Sequence, residues 1–303
     1  MTDARPSSLP KTLRSLFDKE LTPTISHAGY ETLRKRFLDN GHKERLIESY
    51  SRIIPSLNSN ASVLIMGASP LEGFLIRHIV PEISLKMIGS PESLLYRSPD
   101  EYTFFRQHDA HEGGELYSVE RHAIESALPL PDASFDVLIC LEVLEHLRRD
   151  PLFTLCEMRR LLKTSGTLFL STPNINSARS IRRALEWENP MFFPSFGPPP
   201  TGIIHAHEYS VREILLLLER SGFAPQEVAS FNHAILDSFD HDERYRCGGT
   251  IPLHMIEETS ASSEAFFEKL KTHPLRGDYL FIRATGEHPS DPEPIHPLYC
   301  SFE

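Results

Sequence analysis

Apolar positions along this chain recur with two periods. From Phe135 to Cys140 the sequence Phe-Asp-Val-Leu-Ile-Cys is a short apolar run bounded by turn formers, which predicts a buried parallel strand. After it, Asp150 followed by Pro151 reads as a helix start, with the carboxylate as cap and the proline ring preset for the first position. Leu152, Leu155, Cys156 and Leu162 then recur at helical spacing in a run that extends to Lys163. Gly166 marks a tight turn. Thr167 to Ser171 is a second buried strand, closed by Pro173, which cannot continue a central ladder.

The same alternation of strand and helix appears on either side. Ser62 to Met66 predicts the first strand, Gly67-Ala68-Ser69-Pro70 a turn, and Leu71, Phe74, Leu75 and Ile79 the buried face of the next helix. Ile83 to Ile88 predicts the second strand. Upstream, residues 1 to about 60 look helical, with Leu13, Leu16 and Phe17 on one face and Leu46, Ile47, Tyr50, Ile53 and Ile54 on another. Ser210 and Glu213 form a capping box for a helix reaching about Ser221, buried through Ile214, Leu215, Leu217 and Leu218 and ended by Gly222. Glu264 to Leu270 looks helical. Asp278 to Ala284 reads as a late strand, with Arg276-Gly277-Asp278 as the turn before it. Residues 95–120 and 224–258 carry no clear pattern. Beyond Gly286, closely spaced prolines predict an extended or mobile tail.

Composition narrows the classes. At 40% hydrophobic residues, the 303-residue chain can bury a sizeable core. The formal net charge of −11 disfavours broad contact with a nucleic-acid backbone, which needs dense Lys and Arg. Arg179, Arg182 and Arg183 form a local basic group, read here as a solvated helix face. No apolar run reaches the roughly 18 residues of a membrane span, and the first residues lack the apolar core of a secretory signal. Cys140, Cys156, Cys247 and Cys300 are scattered, with no Cys-x-x-Cys pair; Cys140 and Cys156 sit in apolar runs and read as reduced core thiols, which fits a cytoplasmic location.

The motifs between these elements carry a resemblance. Pro131-Asp132-Ala133-Ser134-Phe135-Asp136, Glu142-Val143-Leu144-Glu145-His146, Thr172-Pro173-Asn174 and His205-Ala206-His207-Glu208-Tyr209-Ser210 occur in that order. Together they resemble class I S-adenosylmethionine-dependent methyltransferases, particularly the branch found with glycan-assembly enzymes. The resemblance implies an α/β, Rossmann-like, doubly wound seven-stranded sheet over residues 61–285, with an N-terminal helical extension (1–60), a substrate-side insertion at about 177–205 and a Pro-rich tail (286–303). The insertion is aromatic and proline-rich, with Trp187, Phe192, Phe193 and Phe196. Long loops at the carboxyl ends of parallel strands are where such enzymes build acceptor pockets.

The same resemblance assigns chemistry. Gly67, Ala68, Ser69, Glu125, Leu141 and Glu142 take the cofactor-binding positions, with Glu125 bordering the adenine. Glu142, His146, His205 and His207 are the catalytic candidates, His205 or His207 as general base for a hydroxyl acceptor. The implied partner is a small-molecule or glycan-linked acceptor, methylated on oxygen; the oligomeric state stays open. A metal is not expected. The alternative set of Glu142, Glu145, His146 and His205 remains, because some 2′-O-methyltransferases of small RNAs and some quinone-pathway enzymes look similar here and hold a divalent ion. Three departures support a second class, a catalytically degenerate binding or scaffold protein: Ile65 stands where an acid is usual, Ser69 where a second glycine is usual, and no acid follows Ile88. Glu92, a few residues on, is the candidate substitute for that acid.

Overall fold

The computed structural model describes residues 8–18, 42–67, 70–89, 119–185, 187–191, 205–232, 249–251 and 273–286. The chain divides into two units, Met1–Arg121 with His233–Glu243 and His122–Asn232 with Arg244–Glu303. The boundary falls inside the span expected as one methyltransferase domain.

In the first unit, helix α1 (Leu9–Leu16) packs on α2 (His42–Ile53). Leu13, Phe17, Leu46, Ile47, Tyr50 and Ile53 are all buried, as the helical spacing predicts. Strand β1 (Ser62–Met66) leads through Gly67 into α3 (Pro70–Ile79), and β2 (Ser84–Gly89) follows. β1 pairs with β2 and β2 with β3 (Val119–Arg121), all parallel. The expected second strand lies one residue early, since Gly89 rather than Ile88 ends it. β3 was not legible in its polar surroundings. On α3 the buried apolar positions are Leu75 and Ile76, while Ile79 is only half-buried. The side chains of Leu71 and Phe74 lie outside the described residues. A buried hydrogen bond from the Tyr50 hydroxyl to Glu72 Oε1 (2.9 Å) ties α2 to α3. Burial, then the neighbouring carboxylate, pushes this phenol well above its usual range.

The second unit is a mixed sheet in the order β4 (Phe135–Leu141), β5 (Leu162–Pro173), β8 (Tyr279–Gly286), β6 (Phe223–Phe231), β7 (Gly249–Ile251). β4 and β5 are parallel and joined by α4 (Pro151–Leu161). The last strand enters antiparallel between β5 and β6, so it is paired on both sides. Two further helices, α5 (Ala178–Leu185) and α6 (Val211–Arg220), complete this unit among the described residues. Asp150 caps α4 by accepting from the Leu152 amide (2.9 Å), and Ser210 and Glu213 form the capping box of α6. Of the expected α6 core, Ile214, Leu217 and Leu218 are buried, and Leu215 is half-buried.

Several expectations are corrected here. α4 ends at Leu161, and Leu162 already belongs to β5. Gly166 is not a simple turn: pairing jumps from Phe135↔Leu162 to Val137↔Thr167, so Lys163 to Gly166 bulge out of register within the strand. The unpatterned stretch after Ala224 contains most of β6. Instead of seven strands, the described residues hold eight, of which β3 and β7 have only three residues each. The expected helix at 264–270, Glu92 and the tail beyond Gly286 lie outside the described residues. So does the aromatic insertion from 192 to 204. Trp187, just before it, is 98% exposed.

Candidate functional site

Three segments of the second unit converge: the end of β4, the end of β5, and residues 205–210. β4 stops at the buried Leu141, and Glu142 takes a left-handed backbone with φ of 56°. For a residue with a Cβ this costs on the order of 1 kcal/mol. β5 holds it there. The Glu142 amide donates to the Ser171 carbonyl (2.9 Å), and the Ser171 hydroxyl donates to Glu142 Oε1 (2.8 Å).

Leu144–His146 follow as a 3-10 turn. Glu145 is buried at 1% exposure, with the Thr172 hydroxyl donating to its Oε2 (3.1 Å). His146 is more open, its Nε2 3.7 Å from Glu145 Oε1. The third segment is tied to this turn through the backbone. The Ala206 and His207 amides both donate to the Glu145 carbonyl (2.6 and 3.3 Å), and the Tyr209 hydroxyl donates to the Leu144 carbonyl (3.4 Å). Tyr209 also bridges to Asn174, at the end of β5. His205 is thereby buried at 4% exposure, its Nδ1 2.6 Å from Oε1 of the equally buried Glu208. The His146 and His205 rings meet edge to face at 5.0 Å. One ligand-type atom each from Glu145, His146 and His205 lies within 4.8 Å of the others.

The expected site residues fall into separate places. His146 and His205 come together with Glu145. His207 does not join them: its Nε2 lies 3.3 Å from Glu213 Oε1, and its ring packs on Tyr209. Glu213 is buried enough to favour its neutral form, but hydrogen bonds from the Ser210 amide and hydroxyl and from His207 hold its carboxyl below the usual range. Glu142 stands on Ser171 and is not a member of the Glu145 cluster. Glu125 has a structural task, since its Oε1 accepts from the amides of Arg148 and Arg149 (2.8 and 2.6 Å) just after the Glu-His turn. Gly67 belongs to the first unit, with φ of 75° and its amide donating to the Ile88 carbonyl (2.9 Å). Ala68 and Ser69 lie outside the described residues. Sequence reasoning gave no role to Ser171, Thr172 or Glu208. For Glu208 a signal existed, because a carboxylate three residues after a histidine in a turn can reach back to its ring.

Residues 42–228, more than half of the chain, match a family model described as a methyltransferase domain. The chain belongs to the methyltransferase-domain family. The match begins inside the stretch expected as an N-terminal extension and runs through both units. Among similar proteins is one from Mycolicibacterium smegmatis, 31% identical over 113 residues, which is 37% of this chain and 38% of that protein. Another, from Mycobacterium tuberculosis (strain H37Rv), is 32% identical over 106 residues, 35% of this chain and 33% of that one. Both are described as "Probable S-adenosylmethionine-dependent methyltransferase". The match thus spans only 33–38% of these relatives' length. A SAM-dependent methyltransferase of Archaeoglobus fulgidus shares the fold, with a TM-score of 0.52 and 16% identity over 85% of this chain and 99% of that one.

S-adenosylmethionine is the cofactor that this family implies, and the Gly67 backbone at the end of β1 fits it. Gly67 adopts a backbone that residues with a Cβ rarely take, and α3 begins three residues later. Such a strand, glycine turn and helix start can face backbone amides toward a carboxylate. Ile65 and Ile88 are core residues of β1 and β2, each 0% exposed. No helix among the described residues is long and apolar enough to cross a membrane.

Proposed function

We propose that this chain is a SAM-dependent methyltransferase that methylates an oxygen of a small-molecule or glycan-linked acceptor. The observation that carries the oxygen reading is the buried His205–Glu208 pair beside Glu145 and His146. A hydroxyl must lose a proton as it becomes a methyl ether, and a positioned imidazole is the side chain best suited to take it near neutral pH. Gly67, Ala68 and Ser69 would hold the cofactor's amino-acid end, and Leu141 and Glu142 would border its reacting end. The bound cofactor supplies an electrophilic methyl group on a sulfonium. The chain's own residues align the acceptor and exclude water. The left-handed Glu142, held by Ser171, fits a side chain kept in one orientation for that purpose.

Residues 61–285 would form the catalytic domain, 1–60 a helical extension, 177–205 the acceptor-side insertion and 286–303 a tail. A cytoplasmic location is part of the same proposal, supported by Cys140 and Cys156 standing as thiols rather than as half of a disulfide. The degenerate-scaffold alternative is not favoured, because the relatives are described as methyltransferases.

One observation favours a second reading of the same cluster. Two imidazoles and a carboxylate within 4.8 Å suit a divalent transition ion, which would lower the acceptor hydroxyl's proton affinity. In that case Glu145, His146 and His205 are the ligands and Glu142 is not. Calorimetry with S-adenosylmethionine and turnover on a panel of hydroxyl acceptors test the main reading. Glu142→Gln and His205→Ala should cut turnover far more than cofactor affinity. Unchanged turnover in both removes them from the mechanism, and loss of activity on chelation, restored by added metal, favours the second reading.

A further inference from the structure

We propose that Glu208 is a positioning residue that fixes the tautomer of His205 and so makes Nε2 its basic nitrogen. This rests on the reading of His205 as proton acceptor. The Nδ1···Oε1 separation is 2.6 Å, and both residues are nearly fully buried, at 4% and 2% exposure. An ionised carboxylate only accepts hydrogen bonds, so the bond requires the proton on Nδ1. A neutral imidazole protonated there carries its lone pair on Nε2. The surrounding backbone leaves the ring little other choice. The amides of Ala206 and His207 are fixed on the Glu145 carbonyl, and Tyr209 is fixed on Leu144 and Asn174. Only rotation of the side chains themselves remains, and the short charge-assisted bond removes it. Glu208 therefore acts through His205 and touches no reacting atom.

Glu208→Gln in the full chain tests this, because it keeps the shape of the side chain while giving it an amide that can donate to Nδ1. Proton–nitrogen correlation spectra of the imidazoles, in mildly alkaline buffer where ordinary imidazoles are neutral, read the tautomer directly. His205→Ala identifies the resonances. The wild-type chain should show His205 protonated on Nδ1, and the variant should shift toward protonation on Nε2. Turnover on a hydroxyl acceptor should fall by about 10²-fold to 10⁴-fold, the scale of a lost general-base contribution. Affinity for S-adenosylmethionine and the acceptor KM should hardly move. Glu208→Asp, which keeps the carboxylate, should restore part of the turnover and the wild-type tautomer. An Nδ1 proton retained in Glu208→Gln overturns the proposal directly. A switched tautomer with unchanged turnover overturns it differently, by showing that His205 takes no proton in the reaction.

Discussion

Asn174 offers a sharp test of how the site is held together. It is 0% exposed and directly follows β5. Its Nδ2 donates to the Leu275 and Gly277 carbonyls (3.0 and 2.8 Å), its Oδ1 accepts from the Asn176 amide (3.0 Å), and its backbone bridges to Tyr209. Asn174→Asp keeps the shape but sets an oxygen against two buried carbonyl oxygens. Each carbonyl that loses its donor costs about 1–3 kcal/mol, so the two together give an expected loss of roughly 2–6 kcal/mol at neutral pH. Protonating the new carboxyl returns one donor. The folded state therefore prefers the neutral acid, and the variant's carboxyl titrates above its unfolded value. The sign follows: the deficit is smallest in acid, below the unfolded carboxylate range, and grows to its full size as pH rises through the folded pKa. Urea unfolding of both proteins across that range measures it. A neutral-pH difference within about 0.5 kcal/mol, or a deficit that does not shrink in acid, would refute the reasoning. Turnover should fall with stability, since Tyr209 and the 205–208 segment lean on Asn174.

Other outcomes are expected from the same second unit. A Cβ added at Gly277 would lie 2.6–2.8 Å from backbone atoms of Phe231, which cannot swing aside as a side chain would; Gly277→Ala should cost at least about 2 kcal/mol in denaturant titrations, and an unchanged midpoint would mean the contact relaxes freely. The Glu157 carboxylate accepts from the Leu128 amide (2.7 Å) and from Arg160 Nε and Nη2 (2.8 and 2.5 Å), and the hydrogen bonds from Arg160 above all hold its carboxyl below the usual range. Glu157→Ala should therefore lose about 2–3 kcal/mol near neutral pH, less than the roughly 3–5 kcal/mol of a fully buried broken pair because Arg160 is partly exposed. With a lowered folded pKa, this stabilisation is present above the unfolded carboxylate value and is lost as pH falls through the folded one. Stability curves of variant and wild type that stay parallel into acid would contradict it.

Local physics made much of the fold legible. Ser62–Met66 could be read as a strand because four consecutive apolar residues, Val63 to Met66, end at a glycine turn. α4 and α6 announced themselves through Asp150-Pro151 and through the Ser210–Glu213 capping box, whose partners sit within one helical turn. Gly166 misled because a glycine between apolar runs signals a turn, whereas the pairing of β4 with β5 absorbs it as a bulge. β6 escaped notice because Ala-Pro-Gln-Glu follows Phe223 near its start, and its strand state comes from pairing with β8 some fifty residues later.

The site divides in the same way. The sequence by itself determined the residue types, since Glu145, His146, His205 and Glu208 sit in short motifs whose order points to methyl transfer. It could not rank His205 against His207, two residues apart and chemically alike. Only the tertiary structure decided that His205 turns inward to Glu208 and the Glu145 cluster while His207 turns to Glu213. The physical reason is that side-chain direction in an irregular segment is set by what its backbone bonds to. Here those partners, the Glu145 carbonyl and the end of β5, lie tens of residues away in the chain.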